Sequence, residues 1–478
     1  MLSSQEQSAP AAPDRPAPGA IARELARFAH DVTDTAIPQR VRERALHHML
    51  DAAGIGVASS MHDFGRAAFD GLSTLAGEGA VPVLGFKARW APRDAATING
   101  LLCHGLDFDD THLRGVIHPT VAQFPAAVSA AVMTNATMME FVTAYLVGVE
   151  ASVRLASVAH GAFHGVGFHP SGICNAPAAA LTAGRLMGLS VDQLHQAQGI
   201  ALSMASGTLE FLEDGAWTKR LHPGWAASAG LTAAAMAQAG YIGASSPYSG
   251  RFGLFRTYLG GDDTACDYGA ATAGLGTEWE LLQTAIKPYP ACHLTHGCID
   301  AAIALSAQLP DAAEIEQVTA LVARETVQTI CEPIDNKRRP KNGYDAQFSI
   351  PFLVATGLTK GRVSLADVEG AALQDQAVLS LAQLVRYEID DASGFPRHYS
   401  GEVIVKLKSG ETLRQRQQIN SGAPEMPVPD DEIVAKAIAN AGTALGPAAS
   451  ERLCELFLGM DRADLRASAW ADELASMC

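Results

Sequence analysis

Apolar side chains recur at helical spacing through most of the first 270 residues. Val41, Ala45, Leu46, Met49, Leu50 and Ala53 make one stripe, with Arg42, Glu43 and Arg44 at its polar edge. The same spacing predicts helices over 21–30, 38–59, about 93–106, 120–134, 137–159, 176–187, 191–206 and 222–240, with Gly188-Leu189-Ser190 as a stop signal. No alternating strand of any length interrupts them, so an all-helical domain is expected over 19–270. The texture then changes. Segments 315–324, 385–389 and 401–407 carry β-branched and apolar residues with a period near two. In the last, Val403, Val405 and Leu407 share one side, and Lys408-Ser409-Gly410-Glu411 turns into 412–418 as a hairpin. With helices around 297–308 and 347–358, an α+β domain is expected over 271–425. After Pro427-Val428-Pro429, segments 433–441, 447–458 and 462–473 read as helices. They are expected to return to the first domain, over 426–478, leaving the α+β unit as an insertion. The expected fold is mainly α: a large all-helical domain plus a smaller α+β lid domain.

Composition narrows the class. With 48% hydrophobic residues, 44 Gly and only 6% aromatics, the chain suits closely packed helices and can bury an ample core. A net charge of -16 argues against nucleic acid or an anionic membrane as partner, though a local cationic pocket can still hold an anionic substrate. No apolar run reads as the ~20 residues needed to span a bilayer. The eight cysteines, at 103, 174, 266, 292, 298, 331, 454 and 478, show no C-x-x-C and no short-spaced zinc or iron-sulfur pattern. A reduced, cytoplasmic setting follows. Residues 1–18, rich in Ala, Pro, Ser and Gln with acidic Glu6 and Asp14, read as a disordered tail rather than a signal or transit peptide.

Against 18% charged residues overall, the stretch from His104 to His118 concentrates Asp107, Asp109, Asp110, His104, His112, His118, Thr111 and Arg114. If the preceding helix continues, Asp107, Asp110 and Thr111 share a face. Three carboxylates near a helix C-terminus oppose its dipole, so this density points to chemistry. Other loops concentrate reactive groups as well. Phe163-His164-Gly165-Val166-Gly167-Phe168-His169-Pro170 sets His169 before a helix start, where backbone N–H groups meet anions. Trp217-Thr218-Lys219-Arg220-Leu221-His222-Pro223-Gly224-Trp225 makes a cationic group beside apolar walls, as a carboxylate pocket requires. Lys287-Pro288-Tyr289-Pro290-Ala291-Cys292-His293 places a proline-fixed imidazole at the expected domain junction. The basic run 337–345 reads as a solvated loop.

No Gly-rich nucleotide fingerprint, P-loop, G-x-S-x-G elbow or thiolate cluster is present. Acid-base catalysis on a small polycarboxylate, without a cofactor or metal, fits this inventory. Charge that develops on a carboxylate during proton removal needs preorganised cations, and a second group must protonate what leaves. Dehydration, decarboxylation and epimerisation are the three outcomes. A magnesium-diphosphate site at Asp109-Asp110, as in isoprenoid synthases, lacks a second acidic cluster. A non-catalytic carboxylate binder is the remaining alternative.

The motifs D-F-D-D-T-H with H-P-T, G-F-H-P-S-G, D-G-A-W-T-K-R-L-H-P-G-W-A-A and K-P-Y-P-A-C-H together resemble the MmgE/PrpD family. The likeness runs in order from about residue 20 to about 465. That family includes 2-methylcitrate dehydratases, cis-aconitate decarboxylases and an iminodisuccinate epimerase. The resemblance implies a large helical domain, a smaller α+β lid, a homodimer and no metal. It also implies catalytic roles for Asp107, Thr111, His118, His169, Lys219 and His293. Lys219, with Arg220 and His222, is expected to bind substrate carboxylates, and proton transfer is shared among the histidines and Asp107. Asp109, Asp110 and His112 are expected to orient the loop. Two departures weaken the decarboxylase reading: the loop from Thr111 to His118 is one residue longer, and Phe352 stands where those enzymes have a tyrosine. The expectation is a dehydratase-type lyase acting on 2-methylcitrate, citrate or a similar acid. An epimerase of an aspartate-derived dicarboxylate is the runner-up, and a decarboxylase the third reading.

Overall fold

The computed structural model describes residues 16–17, 19–309, 312–461 and 464–478. The tail read over 1–18 falls almost wholly outside them. The apolar stripes become helices Ala20–Asp31, Gln39–Ser59, Pro92–Cys103, Thr120–Thr134, Met138–Val158, Asn175–Leu186, Val191–Leu202 and Thr218–Gln238, so the chain is mainly α. Their small residues allow close crossings. At one of these a Cβ on Gly100 would lie 2.5 Å from the Gly224 Cα, so the two backbones touch there. Lys219, at the N-terminal end of the second helix, is thereby brought to the loop that follows Cys103.

Three expectations for this region are corrected. It is not all-helical: Glu78–Pro82 pairs antiparallel with Arg89–Trp90, a pairing too short and Gly-rich to give a period-two signal. A helix at Asp63–Ser73 was also not read from the spacing. Helix Met138–Val158 is long and apolar enough to cross a membrane, against the expectation of no such run, but its apolar window is buried inside the protein. Helix Pro92–Cys103 stops short of Asp107, whose φ of 50° is left-handed, so no helical face joins Asp107, Asp110 and Thr111.

Two main hydrophobic cores form. The larger lies among the N-terminal helices and also takes in Ala437, Ala441, Leu453, Phe457 and Trp470 from helices Asp430–Leu445, Pro447–Leu458 and Ala467–Met477. The second backs a four-stranded sheet with strand order 385–389, 315–322, 401–407, 412–417, the first pair parallel and the others antiparallel. Val403, Val405 and Leu407 face inward onto helices His296–Ser306 and Ile350–Lys360, and Lys406 faces out. The two halves are stitched near the functional loop by a two-residue pairing, Thr111 with Ala285 and His112 with Thr284.

Candidate active site

A cavity of about 1900 Å³ opens between the two cores. Its floor is the irregular loop 104–119. The Thr111–Ala285 register sets Lys287 against this loop. The Lys287 ammonium meets Asp107 Oδ1 at 2.6 Å and donates to the Asp107 carbonyl at 2.9 Å, while Lys219 Nζ lies 3.0 Å from Asp107 Oδ2. Burial disfavours the Asp107 anion, but the two ammonium groups prevail and hold its carboxyl well below the usual carboxylate range. The same pairing outweighs burial at Lys287 and raises its ammonium pKa. Lys219 also sits 5.0 Å from the centre of the Phe348 ring.

Behind this trio lies a second buried carboxylate. Asp109 Oδ2 accepts from His104 Nδ1 at 2.9 Å and lies 3.0 Å from His118 Nδ1. His118 Nδ1 also lies 2.7 Å from the Asp110 carbonyl. These two closest neighbours are acceptors, with the Thr111 hydroxyl farther off at 3.3 Å, so Nδ1 carries the hydrogen and Nε2 is left as the nitrogen available for chemistry. Burial opposes the Asp109 charge, and the two imidazoles overcome it, holding the carboxyl well below its ordinary value. Asp110 is turned away, accepting from His48 Nδ1 at 2.8 Å and Thr120 Oγ1 at 2.5 Å, and burial pushes its pKa up to about 7. His112 bonds Glu280 at 3.1 Å, outside the cavity wall.

On the other walls His293 and His169 are held neutral. Burial drives His293 well below its usual range, with His296 and Lys287 adding to the effect, and drives His169 down with help from His222 and Lys219. Asn420 takes the Tyr399 N–H on its Oδ1 and so aims Nδ2 at His293 Nε2, 2.7 Å away. The ring hydrogen of His293 therefore sits on Nδ1, which is buried without a protein partner.

Of the residues singled out in sequence, Asp107, Thr111, His118, His169, Lys219 and His293 all line the cavity. Arg220 and His222 do not. Arg220 donates to the Gly105 carbonyl at 2.6 Å and packs on the Phe64 and Tyr344 rings, and His222 lies behind His169, Nδ1 to Nδ1 at 3.1 Å. Adjacent positions on one helix point in different directions, and their common charge concealed this. The run 337–345 is corrected as well: Lys337, Arg339 and Lys341 stand in the cavity wall, and Lys337 Nζ donates to the Thr329 carbonyl at 2.9 Å. Phe352 is wholly buried in the second core, so the tyrosine departure does not touch the cavity, whose own tyrosines are Tyr344, Tyr387 and Tyr399. Lys287 was missed although its motif was noted. Its signal was a lone lysine fixed before Pro288.

Ligand atoms of His104, His118 and His169 lie within 4.8 Å of one another, a looser set than the about 3.3 Å between nitrogens on a tetrahedral zinc. Asp109 and Asp110 are committed to protein donors on opposite sides, which does not fit a shared magnesium-diphosphate site.

The sequence models of the MmgE/PrpD N-terminal and C-terminal domains match residues 23–267 and 289–461. The chain is 28% identical over 433 residues to "Cis-aconitate decarboxylase-like protein oryM" of Aspergillus oryzae, covering 87% of this chain and 89% of that one. It is 25% identical over 469 residues to the Aspergillus terreus cis-aconitate decarboxylase, covering 94% and 95%. To the Homo sapiens enzyme of that name it is 25% identical over 458 residues, covering 92% of each.

Proposed function

The chain belongs to the MmgE/PrpD family, and from that premise we propose that it is a lyase acting on a small tricarboxylate, with His118 as the proton-transferring residue. One observation carries the reading: the buried Asp109 carboxylate grips His118 through Nδ1 and leaves Nε2 for substrate. A carboxylate so placed orients the ring and stabilises its imidazolium form. Asp107, held far below the range in which a carboxylate takes a proton at neutral pH, serves instead to orient Lys219 and Lys287. Those ammonium groups receive substrate carboxylates and offset charge that develops on them. His293 Nδ1–H is a neutral donor on the facing wall. The α+β unit, which supplies the walls at 325–348, is taken to close over bound substrate as a lid.

Decarboxylation of a cis-aconitate-like acid comes first among the reactions open to such a site. The carbon–carboxylate bonding pair moves into the unsaturated framework as CO₂ leaves, and carbon takes one proton from Nε2 of the His118 imidazolium, which is recharged with a proton from solvent. The names of the relatives support this, and the position of Phe352 removes one objection. Dehydration of a citrate-like hydroxy acid is the second reading. It is supported by the Thr111–His118 loop, which reads as one residue longer than in the decarboxylases and presents Val116, a β-branched residue at φ 47°, to the cavity.

The test is incubation with cis-aconitate, citrate and 2-methylcitrate in deuterated water, with products read by mass spectrometry. CO₂ release with one deuterium on carbon supports decarboxylation. An olefin without CO₂ supports dehydration. Solvent exchange with neither would make the enzyme an epimerase, and no change in any acid would overturn the lyase reading.

A further inference from the structure

The C-terminal helix Asp430–Leu445 contributes nothing to the cavity wall among the described residues, yet one of its side chains touches two of the three segments that carry the ion trio, those of Asp107 and Lys287. Lys436 Nζ donates to the Phe108 carbonyl at 2.8 Å and to the Lys287 carbonyl at 2.9 Å, and it pairs with Asp51 Oδ1 at 2.8 Å. The ammonium has three hydrogens and three acceptors, and it also lies 3.7 Å from the centre of the Phe108 ring. One turn earlier on the same helix, Ile433 packs with Ile286 and Val428, bracing the residue before Lys287. Asp107 and Lys287 are therefore held twice: by their own ion pair inside the cavity, and from outside by one ammonium bound to the carbonyls of Phe108 and Lys287.

We propose that Lys436 is a positioning residue for the reaction, fixing the backbone on both sides of the Asp107–Lys287 pair so that the Lys287 and Lys219 ammonium groups meet substrate carboxylates in register. The charge of Lys436 is balanced by Asp51 on helix Gln39–Ser59, and its work is done through the two carbonyls. Removing Lys436 strips the donor from two carbonyls at once, and displacements of about 1 Å at reacting groups cost about 10²-fold in rate. The inference rests on the lyase reading for its kinetic arm and on geometry alone for its second arm.

The test uses the full-length protein with Lys436→Met, Asp51→Asn and the double substitution, each assayed well below its own melting temperature. K436M is expected to lower kcat about 10- to 100-fold with KM within about threefold. D51N leaves both carbonyl bonds in place, so it should lower the melting temperature and keep kcat within about threefold. The double variant buries no unpaired charge, so it should regain melting temperature and still lack turnover. Reductive methylation followed by peptide mass spectrometry supplies the arm that needs no substrate: Lys287 should react at least about fivefold faster in K436M, with Lys406 unchanged as the exposed reference. Wild-type kcat in K436M, or recovery of kcat together with melting temperature in the double variant, would overturn the proposal. If the wild type turns over none of the acids, the lyase reading fails, and the Lys287 labelling rate alone decides whether Lys436 positions that residue.

Discussion

Asp107→Asn is the substitution that most directly tests the electrostatic logic of the cavity. The change is nearly isosteric and removes one negative charge from between two ammonium groups at 2.6 and 3.0 Å, at a position only 2% exposed. Breaking a buried pair from one side costs about 3–5 kcal/mol, because the remaining charge stays desolvated. For a chain of 478 residues the unfolding entropy is about 1 kcal/mol per degree, so the melting temperature should fall about 3–5 °C. Ligand binding should respond in the opposite sense. A substrate carboxylate entering the wild type shares Lys219 and Lys287 with Asp107. A like charge ~5 Å away in a medium of effective dielectric near 20 costs about 3 kcal/mol, so its removal should tighten binding of the unreactive tricarballylate by roughly 100-fold.

Turnover should move the other way, because Asp107 no longer aims the ammonium groups at the reacting carbon skeleton. Titration calorimetry with tricarballylate, melting curves with and without it, and single-turnover assays on the reactive acid give the three numbers. The expected pattern is lower stability, tighter tricarballylate binding and a loss of at least about 10²-fold in kcat. Weakening of tricarballylate binding by tenfold or more in D107N would refute the reasoning, since it would make the carboxylate part of the substrate's own binding set rather than its competitor.

Asp109→Asn leaves His118 without the carboxylate that fixes its Nδ1 hydrogen, and kcat should fall about 10²- to 10⁴-fold in steady-state assays with KM little changed. Burial holds the His104 pKa down at about 4 and that of His296 at about 3, below the unfolded value near 6.5, so the unfolded chain binds nearly two more protons at pH 5. Their contribution is complete above pH 6.5 and is lost as pH falls toward 3. Together these two account for about 2.5 kcal/mol per pH unit of the slope near pH 5 in denaturant melts, and His104→Gln should remove close to half of that two-residue contribution. Arg220→Lys loses the bond to Gly105 and the packing on Phe64 and Tyr344, so it should cost about 1–3 kcal/mol of stability and leave tricarballylate affinity unchanged. A tenfold loss of affinity would return Arg220 to the substrate-binding set.

What the sequence made legible follows from the range of each physical signal. Helices such as Gln39–Ser59 and Thr120–Thr134 announce themselves because periodicity is summed over many residues, and the 401–407 strand does so because alternation and a Gly-containing turn agree. The Glu78–Pro82 pairing is too short for either signal. Within the cavity, residue type predicted membership well and direction poorly. Lys219 and Arg220 carry the same charge on neighbouring positions, yet successive helix residues are turned by about 100°, and only the first meets the cavity. Lys287 gave little sign because its importance comes from the Thr111–Ala285 register, a pairing between segments more than 170 residues apart. Lys436 gave none, being one lysine on an ordinary amphipathic helix until that helix is placed against Phe108 and Ile286. The return of the C-terminal helices to the first core thus does more than close the fold. It places a buried cation behind the Asp107–Lys287 pair, where a shift in either carbonyl is transmitted directly to the charges that face the substrate.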